Sequence, residues 1–311
     1  MNNYPLISIA LCTYNGSVHL VEQLESIVKQ TYPNIEIIVV DDGSKDTTIE
    51  ILNSYSAKYS YIKIYQNEFN LGYIKNFEKA TSLCRGEFIA LCDQDDIWLE
   101  NKLEIQFNEI GANTLIYHDS EFINENGVSL EKRMSDVINM YSGNSSKPFL
   151  FFNCLSGHAV LFKKELIEYS LPFPKEIFHD RWLAYTATNI GSIKYIDKSL
   201  VRYRQHENSD TNILKLKRNK AENAIHGNAK IVKALSEFEI FAGYKYNKDQ
   251  KFIDKLLKLY RKRLTSYLCF GLIFFMYAHY KSLLFISKKS SISKLNFIFK
   301  HVWGSKLKAG Q

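Results

Sequence analysis

The sequence predicts an α/β fold with a mostly parallel central sheet and helices on both faces of that sheet. Between residues 6 and 92, short apolar runs rich in β-branched residues alternate with helical patterns, and the connections are short. Polar clusters stand directly after several of these runs. Such alternation is typical of parallel sheets, because a strand returns parallel to its neighbour through a crossover that is usually a helix.

The elements up to residue 92 follow from local patterns. Leu6 to Thr13 is short, apolar and β-branched, which predicts a buried strand. The next segment is predicted to be helical, because Leu20, Leu24 and Ile27 share one helix face. The full predicted order is strand 6–13, helix 18–29, strand 35–40, helix 46–58, strand 62–65, a helix ending near 84, and strand 87–92.

The pattern after residue 97 is less regular. We predict helix 98–110, strand 114–118, a loop over 124–148, strand 157–163, helix 180–189 and strand 199–203. The 311 residues, of which 46% are apolar, suffice for one sizeable α/β domain and an appendage. We therefore expect a domain over residues 1–212 and a mainly helical, basic region over 213–311.

Polar residues cluster at the carboxyl ends of the predicted strands, where parallel sheets bind their ligands. These clusters are Thr13-Tyr14-Asn15, Asp41-Asp42 and Asp93-Gln94-Asp95-Asp96. Three carboxylates within four residues raise one another's pKa unless a cation intervenes. Hard oxygen ligands suit Mg²⁺ or Mn²⁺. The alternative for this acidic segment is a solvated turn that caps the following helix.

Three further positions carry candidate chemistry. Asp41 and Asp42 can accept hydrogen bonds from a base and a ribose, although DDGS is also an ordinary turn sequence. Asp180 stands where a helix is predicted to begin, so it is either a general base or an N-cap. Arg204 and His206 follow a predicted strand, from which they can meet a diphosphate or a metal.

Several function classes are excluded by what the sequence lacks. There is no GxGxxG, no GxxxxGK[ST] and no GxSxG motif, so phosphates must be held mostly by a metal. The five cysteines are scattered without a CxxC pair, which indicates small buried residues in a reducing compartment. The first residues do not resemble a secretory signal, so we expect the catalytic part to be cytoplasmic.

Charge is distributed unevenly along the chain. Residues 1–214 carry 19 Lys and Arg against 28 Asp and Glu, whereas residues 215–311 carry 21 against 5. The basic part contains an apolar segment at about residues 264–286, flanked by Arg261-Lys262-Arg263 and by Lys281. A span needs about 20 apolar residues, and this run is shorter. Attachment in the plane of an anionic membrane is favoured over a span, over an ordinary core helix and over nucleic-acid binding.

The motifs resemble those of family 2 glycosyltransferases with the GT-A fold. The resemblance covers about residues 5–210 and depends on the ordered set of motifs. These are Ser8 to Asn15, Ile38 to Ser44, Asn70-Leu71-Gly72 and Cys92 to Asp96. The segments CDQDDIW, HDRW and YRQH are similar to the bacterial rhamnosyltransferase branch, although galactosyl and glucosyl enzymes share much of the pattern.

The resemblance implies a role for each matching residue. Thr13, Tyr14, Asn15, Asp41, Asp42, Asn70, Gly72, Asp93 and Arg204 would bind the nucleotide sugar. Asp95, Asp93 and His206 would hold a divalent metal, Mn²⁺ or Mg²⁺, and Asp95 is the expected direct ligand. Asp180 would be the base. The family usually has Glu-Asp at this position, whereas this chain has His179-Asp180.

The implied activity is an inverting transfer of one sugar, with L-rhamnose favoured, to a lipid-linked oligosaccharide of O-antigen or capsule synthesis. The enzyme is expected at the inner face of the cytoplasmic membrane, peripherally attached, and the sequence does not predict an oligomeric state. A sugar nucleotidyltransferase should carry a glycine-rich, lysine-containing loop after the first strand, and Thr13-Tyr14-Asn15-Gly16 is not one. A non-catalytic module that binds nucleotide sugars is the other alternative.

Overall fold

A computed structural model describes residues 4–205 and 227–308 of the chain. These residues form two compact units. The N-terminal unit comprises residues 4–136, 140–144 and 155–205, and the C-terminal unit comprises residues 137–139, 145–154 and 227–308. The domain boundary predicted at 212/213 lies outside the described residues. It therefore stays a prediction.

The N-terminal unit is built on one sheet, with nine strands within the described residues. The strands are β1 Ile7–Thr13, β2 Ile35–Asp41, β3 Ile62–Gln66, β4 Phe88–Cys92, β5 Ile97–Trp98, β6 Leu115–Ile123, β7 Ser129–Arg133, β8 Val160–Lys163 and β9 Ile193–Arg204. Their spatial order is β3-β2-β1-β4-β8-β6-β9-β5, and β7 pairs with β6.

The first four strands run parallel to one another, and β6 also runs parallel to β9. β1 is buried along its whole length, because helices cover both faces of this half and the strand is accordingly apolar on both sides. Thr13 pairs with Asp41, and Leu11 pairs with Cys92. The polar residues that follow these strands therefore emerge at one edge of the sheet. The predicted α/β fold with a mostly parallel sheet is confirmed.

The helices of this unit are α1 Leu20–Val28, α2 Thr48–Lys58, α3 Tyr73–Leu83, α4 Lys102–Ile110, α5 Met134–Val137, α6 Leu166–Ser170 and α7 His179–Ile190. A short 3-10 helix spans Gly157–Ala159. Helix α1 buries Leu20, Leu24 and Ile27, the three residues that predicted its apolar face. These side chains join a core formed with the buried faces of β1 and β2.

Two local predictions after residue 97 are wrong. Trp98 does not begin a helix, since Ile97 and Trp98 pair with Arg202 and Val201 of β9 and the helix starts at Lys102. The predicted loop over residues 124–148 contains β7 and α5. For Ile97 and Trp98 the partner strand lies about a hundred residues later in the chain, which no local pattern shows. β7 instead pairs antiparallel with β6, the strand just before it, and its exposed polar residues do not show the alternation that predicts a strand.

The C-terminal unit is helical. Its helices are α8 Gly227–Gly243, α9 Gln250–Thr265, α10 Phe270–Ala278, α11 Tyr280–Leu283, α12 Ser291–Phe299 and α13 Ser305–Lys308, and 3-10 helices span Lys147–Leu150 and Lys300–Val302. The Phe151 ring contacts those of Phe238 and His301, at centroid distances of 5.2 and 6.0 Å. Across residues 4–205 and 227–308, every helix is too short or too polar to cross a bilayer.

Candidate active site

The loops after β1 and β2 are joined by hydrogen bonds at the end of the parallel strands. The Asp41 carboxylate accepts a bond from the Thr13 hydroxyl at 2.9 Å and from the backbone N–H groups of Gly43 and Ser44. Asp41 is fully buried. Its carboxylate therefore shapes the turn that follows β2. The predicted contact of Thr13 and Asp41 with a nucleotide stays a prediction.

Asp42 fixes the Asn70-Leu71-Gly72 turn to the same edge of the sheet. Its two carboxylate oxygens accept hydrogen bonds from the backbone N–H groups of Leu71 and Gly72, at 2.8 and 2.9 Å. The amide of Asn67 also donates to Asp42 at 2.8 Å. Gly72 has a φ of +83°, a conformation that favours glycine. The Asn70-Leu71-Gly72 motif is thus held against the predicted Asp41-Asp42 cluster.

The acidic loop, Asp93 to Asp96, is tied to the loop after β1 through Gln94. The Gln94 side chain accepts a hydrogen bond from the Tyr14 N–H at 2.8 Å and donates to the Tyr14 carbonyl at 3.1 Å. Asn15 is tied in turn to the loop after β2, since its side chain accepts from the Lys45 N–H. The three polar clusters predicted from the sequence therefore form one connected edge.

A cluster of possible metal ligands lies in the acidic loop. One ligand atom each from Asp93, Asp96 and His158 lies within 4.8 Å of the other two. His158 Nδ1 is 3.1 Å from Asp96 Oδ2 and 3.8 Å from Asp93 Oδ2. Two ligands of one ion, each about 2.1 Å from it, are roughly 3.0–3.4 Å apart, so these spacings are close to those of a metal site.

The hydrogen bonding of this cluster leaves the converging atoms open. Asp96 Oδ2 is buried and makes no hydrogen bond of acceptable geometry with the described residues. His158 Nε2 is 2.8 Å from the Ser120 hydroxyl, which leaves Nδ1 for the cluster. A histidine oriented through its other nitrogen is the usual arrangement of a metal ligand. Two carboxylates and an imidazole therefore fit a divalent cation such as Mn²⁺.

Arg204 contacts the acidic loop through both its side chain and its backbone. Its side chain is 1% exposed, and its Nε donates to the Asp95 carbonyl at 2.7 Å. Its backbone N–H donates to Asp96 Oδ1 at 2.9 Å, and its guanidinium also pairs with Glu22. This geometry makes Arg204 a positioning residue for the loop. The predicted contact of Arg204 with a diphosphate gains no support from it.

Burial and like charges act together on Asp96. Burial raises the pKa of Asp96 well above its usual range, and the charges of Asp95 and Asp93 raise that pKa further. The hydrogen bond and the charge of Arg204 act in the opposite direction. A cation bound in this cluster would relieve the repulsion among the three carboxylates.

The N-terminal end of α7 meets the acidic loop at Gly157. A Cβ atom at Gly157 would lie 3.0 Å from His179 Nε2 and 3.9 Å from Asp93 Oδ2, so the first residue of α7 and the acidic loop flank this glycine. Burial lowers the pKa of His179 to about 4, although the Asp93 charge opposes the shift. Neither ring nitrogen of His179 has a hydrogen-bond partner among the described residues. Asp180, the predicted base, is the next residue and is partly buried.

Contacts around His179 link this end of α7 to the Asn70-Leu71-Gly72 turn. The His179 ring stacks on Phe77 of α3, with centroids 4.3 Å apart, and Tyr73 at the start of α3 stacks on Phe178. Gly72 immediately precedes α3, and its N–H donates to Asp42. The N-terminal end of α7 therefore lies close to both the Asn70-Leu71-Gly72 turn and the acidic loop.

Not every residue of this site was predicted from the sequence. His158 and the Gln94 bridge were missed, and Asp96 was part of the predicted acidic cluster without being named as a metal ligand. Gln94 stands within a motif that was recognised, whereas His158 is more than sixty residues from the acidic loop and follows no motif. His206, predicted as a metal ligand, lies outside the described residues. Asp95 is not among the three clustered ligands, and its predicted role stays a prediction.

Comparison with known proteins identifies the family. The sequence profile of glycosyl transferase family 2 matches residues 8–170, more than half of the chain. The chain belongs to glycosyl transferase family 2. Its members transfer sugars from nucleotide sugar donors, so the expected enzyme class is confirmed. The rhamnosyl branch is a narrower assignment that this match does not reach.

Family 2 relatives include proteins of similar length. An uncharacterized glycosyltransferase of Haemophilus influenzae is 27% identical over 327 residues, which cover 96% of this chain and all of the relative. The Escherichia coli protein WfgD, named a UDP-Glc:alpha-D-GlcNAc-diphosphoundecaprenol beta-1,3-glucosyltransferase, is 37% identical over 130 residues. That match covers 41% of this chain and 50% of WfgD.

Solved structures of glycosyltransferases share the fold of this chain. Staphylococcus aureus TarS 1–349 in complex with UDP-GlcNAc matches with a TM-score of 0.59 and 19% identity, covering 96% of this chain and 81% of TarS. The mannosyltransferase PcManGT of Pyrobaculum calidifontis, solved with GDP-Man and Mn²⁺, matches with a TM-score of 0.53 and 18% identity. That match covers 77% of this chain and 64% of PcManGT. The chain therefore has the GT-A fold.

Proposed function

We propose that this chain is an inverting, metal-dependent glycosyltransferase. It transfers one sugar from a nucleotide diphosphate donor to a lipid-linked glycan acceptor in the synthesis of a bacterial surface polysaccharide, O-antigen or capsule. The observation that carries the proposal is the cluster of Asp93, Asp96 and His158. Through Gly157 this cluster adjoins His179, the neighbour of Asp180.

The donor binds along the edge formed by the loops after β1 and β2. Thr13, Tyr14 and Asn15 line this edge, and Asp42 organises the Asn70-Leu71-Gly72 turn beside it. The best candidate for the transferred sugar is L-rhamnose, from the similarity of the motifs to the rhamnosyltransferase branch. Galactose and glucose are the alternatives, and the name of WfgD supports glucose for a relative.

The acidic loop and His158 hold the divalent metal in this proposal. Asp93, Asp96 and His158 supply converging ligand atoms, and Asp95 adds a carboxylate in the same loop. A bound Mn²⁺ or Mg²⁺ would neutralise charge on the leaving diphosphate, a contribution of several kcal/mol to the transition state. The PcManGT structure, solved with Mn²⁺, supports a metal in this fold. A contribution from His206 stays part of the proposal.

Asp180 acts as the general base. Its carboxylate takes the proton of the acceptor hydroxyl while that oxygen forms a bond to the anomeric carbon. The bond from the anomeric carbon to the diphosphate oxygen breaks, and the nucleoside diphosphate leaves with the electron pair. Attack from the side opposite the leaving group inverts the anomeric centre. Asp180 lies in the first turn of α7, next to His179.

The acceptor is a glycan on a membrane lipid, and the enzyme works at the inner face of the cytoplasmic membrane, to which it is peripherally attached. The name of WfgD, with its diphosphoundecaprenol-linked acceptor, supports this class of acceptor. The charge distribution of the chain supports the attachment, because the excess of basic residues lies in the C-terminal part.

A transfer assay with a panel of UDP-, dTDP- and GDP-sugars tests the proposed function. The purified protein is supplied with Mn²⁺ and a prenyl-diphosphate-linked sugar acceptor, and product is followed by mass spectrometry. We expect Asp180→Asn to lower turnover by at least ~10²-fold, the usual contribution of a positioned base. Asp197→Asn is the control, because it changes an exposed aspartate of the same unit, and this variant should transfer the sugar at the wild-type rate.

Two outcomes would contradict the proposal. Near-normal transfer by Asp180→Asn would reject Asp180 as the base. Binding of a nucleotide sugar with neither transfer nor hydrolysis, over the whole panel, would instead favour the non-catalytic nucleotide-sugar-binding module.

A further inference from the structure

The C-terminal unit exposes a continuous apolar surface around α10. Phe270, Phe274 and Tyr277 are exposed and recur at spacings of four and three, so they lie along one face of the helix. Leu268, just before α10, forms an antiparallel bridge with Trp303, and both side chains are exposed. We call these five residues the apolar face.

The outward side of α10 lacks the polar residues of an ordinary surface helix. Leu272, Phe275 and Met276 form its buried side, as expected for a helix packed on a core. The outward positions are nevertheless apolar or small as well, and Phe274 is 71% exposed. A helix that is hydrophobic all round is normally covered on every side. This composition is therefore typical of a helix whose outer face is covered by a partner.

The charge around the apolar face indicates the nature of that partner. Residues 255–308 contain 12 Lys and Arg and no Asp or Glu. Lys306 Nζ lies 5.6 Å from the centre of the Tyr267 ring, beside the apolar face, and Lys281 follows α10. Lys258 and Lys262 are exposed on α9, one turn apart. An apolar strip in a segment where cations are in large excess matches the boundary between acyl chains and anionic headgroups.

We propose that the apolar face is a lipid-binding surface that inserts into the headgroup region of an anionic bilayer. α10 has nine residues and is about 13 Å long, so it lies in the plane of the interface and cannot span about 30 Å of hydrocarbon. Trp303 and Tyr277 anchor at the headgroup level, where amphipathic aromatic rings are enriched. The basic residues nearby pair with lipid phosphates.

The proposed lipid-binding surface adds to the proposed function. It rests on that function only in the choice of a membrane as the partner. It gives the attachment a defined set of residues, and it brings the enzyme to the plane in which a lipid-linked acceptor is embedded. A second copy of the chain is a poorer match, because two such faces would bring their lysines together. The surface can be tested without donor or acceptor.

The tryptophans provide a direct measurement. The chain has three, and Trp98 and Trp182 are buried in the N-terminal unit, whereas Trp303 is exposed. The full chain is mixed with phosphatidylglycerol–phosphatidylcholine vesicles, or with phosphatidylcholine vesicles alone. We expect a blue shift of the tryptophan emission and quenching by brominated acyl chains with the anionic vesicles, both lost in Trp303→Phe.

Binding is then measured by co-sedimentation. The double variant Phe270→Ser/Phe274→Ser should bind the anionic vesicles at least ~10-fold more weakly, because the inserted apolar area is lost. Phe69→Ser is the matched control, since Phe69 is a similarly exposed aromatic residue of the N-terminal unit, and it should bind as the wild type does. Thermal unfolding of each variant verifies that the substituted proteins are folded.

Three results would overturn the inference: no binding to anionic vesicles, equal binding by the double variant, or a dimer without lipid that the double variant abolishes. The last would assign the apolar face to a second copy of the chain. Because the vesicles contain neither donor nor acceptor, a failure of sugar transfer would leave the vesicle result unchanged. A failure to bind vesicles would likewise leave the proposed transfer intact.

Discussion

At the scale of single residues, the candidate metal site depends on which polar atoms of Asp96 and His158 are used in hydrogen bonds to the rest of the protein. Asp96 uses one oxygen to accept from the Arg204 N–H and presents the other to His158. His158 in turn uses Nε2 with Ser120 and presents Nδ1. Each side chain is thus fixed through one polar atom and open at the other. This is the property that separates a prepared metal site from a surface cluster of acids.

The first prediction concerns His158. His158→Gln should weaken Mn²⁺ binding by at least ~10-fold, because the converging imidazole nitrogen is lost, and Ser120→Ala should weaken it by a smaller factor through loss of the ring's orientation. Isothermal titration calorimetry with Mn²⁺ measures both. His279→Gln, in the C-terminal unit, is the control that should leave the affinity unchanged. An unchanged affinity in His158→Gln would remove the residue from the site.

The second prediction concerns the pH dependence that Lys102 causes. Its Nζ lies 3.1 Å from the centre of the Trp98 ring and has no hydrogen-bond partner among the described residues. Burial lowers the pKa of Lys102 to about 7, although the charges of Asp96 and Asp93 oppose the shift. The unfolded chain, with a lysine pKa of about 10.4, binds a proton that the folded chain lacks between these values. The contribution of Lys102 to stability therefore rises with pH in that window.

Lys102→Met should accordingly be more stable than the wild type at pH 6, on the order of 2–4 kcal/mol, the scale of burying a charged lysine. The difference should shrink steadily from about pH 7 to about pH 10, as the folded wild type carries the neutral amine. Urea unfolding in the presence of a chelator, at a series of pH values, measures the two free energies. Parallel pH profiles for the two proteins would contradict the lowered pKa.

At the scale of elements, the acidic loop is held from two sides. Gln94 joins the acidic loop to the loop after β1. Arg204, the last residue of β9, donates a hydrogen bond to the Asp95 carbonyl of the acidic loop. Arg202, two residues earlier on the same strand, is exposed and lies 3.9 Å from Glu121. The strand therefore carries one arginine that positions the site and one that does not, which provides a matched pair for mutagenesis.

The third prediction uses that pair. Arg204→Lys should lower the free energy of unfolding by about 1–3 kcal/mol, because a single amine cannot replace the guanidinium bonds to the Asp95 and Glu125 carbonyls and to the Glu22 carboxylate. It should also weaken Mn²⁺ binding. Arg202→Lys should change stability by less than about 0.5 kcal/mol, as expected for an exposed ion pair. Denaturant titration and calorimetry measure the two effects. Equal behaviour of both variants would show that the support from β9 is not needed.

Part of this arrangement could be predicted from the sequence, because it follows from residues that are close together in the chain. The runs that became β1, β2 and β4 are apolar, and the residues after them had to meet at one edge once the strands were parallel. The pairing of Ile97 and Trp98 with β9 could not be predicted, because it depends on a strand about a hundred residues later. His158 was missed for the same reason, since only the folded sheet brings it beside Asp93.

At the scale of the whole molecule, the chain is two compact units that are not consecutive in sequence. Residues 145–154 belong with the C-terminal helices, and Phe149 and Leu150 in this segment are buried. The rings of Phe151 and Phe152 contact residues of α8 and α12. The segment 213–311, which the sequence suggests is an appendage, therefore includes helices that pack on a segment from the middle of the chain.

The fourth prediction follows from this interleaving. A chain truncated after residue 205 loses the partners of residues 145–154 and exposes several aromatic side chains, each of which is worth about 1.5–3 kcal/mol when buried. We expect the truncated protein to aggregate or to melt well below the full chain, as measured by size-exclusion chromatography and thermal unfolding. A monomeric truncated protein with an unchanged melting temperature would contradict the role of that segment.

The most direct test of the account is anomalous diffraction from crystals of the full chain grown with Mn²⁺ and uridine diphosphate. One manganese signal is expected within about 2.1–2.3 Å of carboxylates of the acidic loop and of His158. The diphosphate is expected on the same ion, beside the end of α7 that carries Asp180. Manganese and diphosphate bound on another surface, away from residues 93–96 and 158, would contradict it.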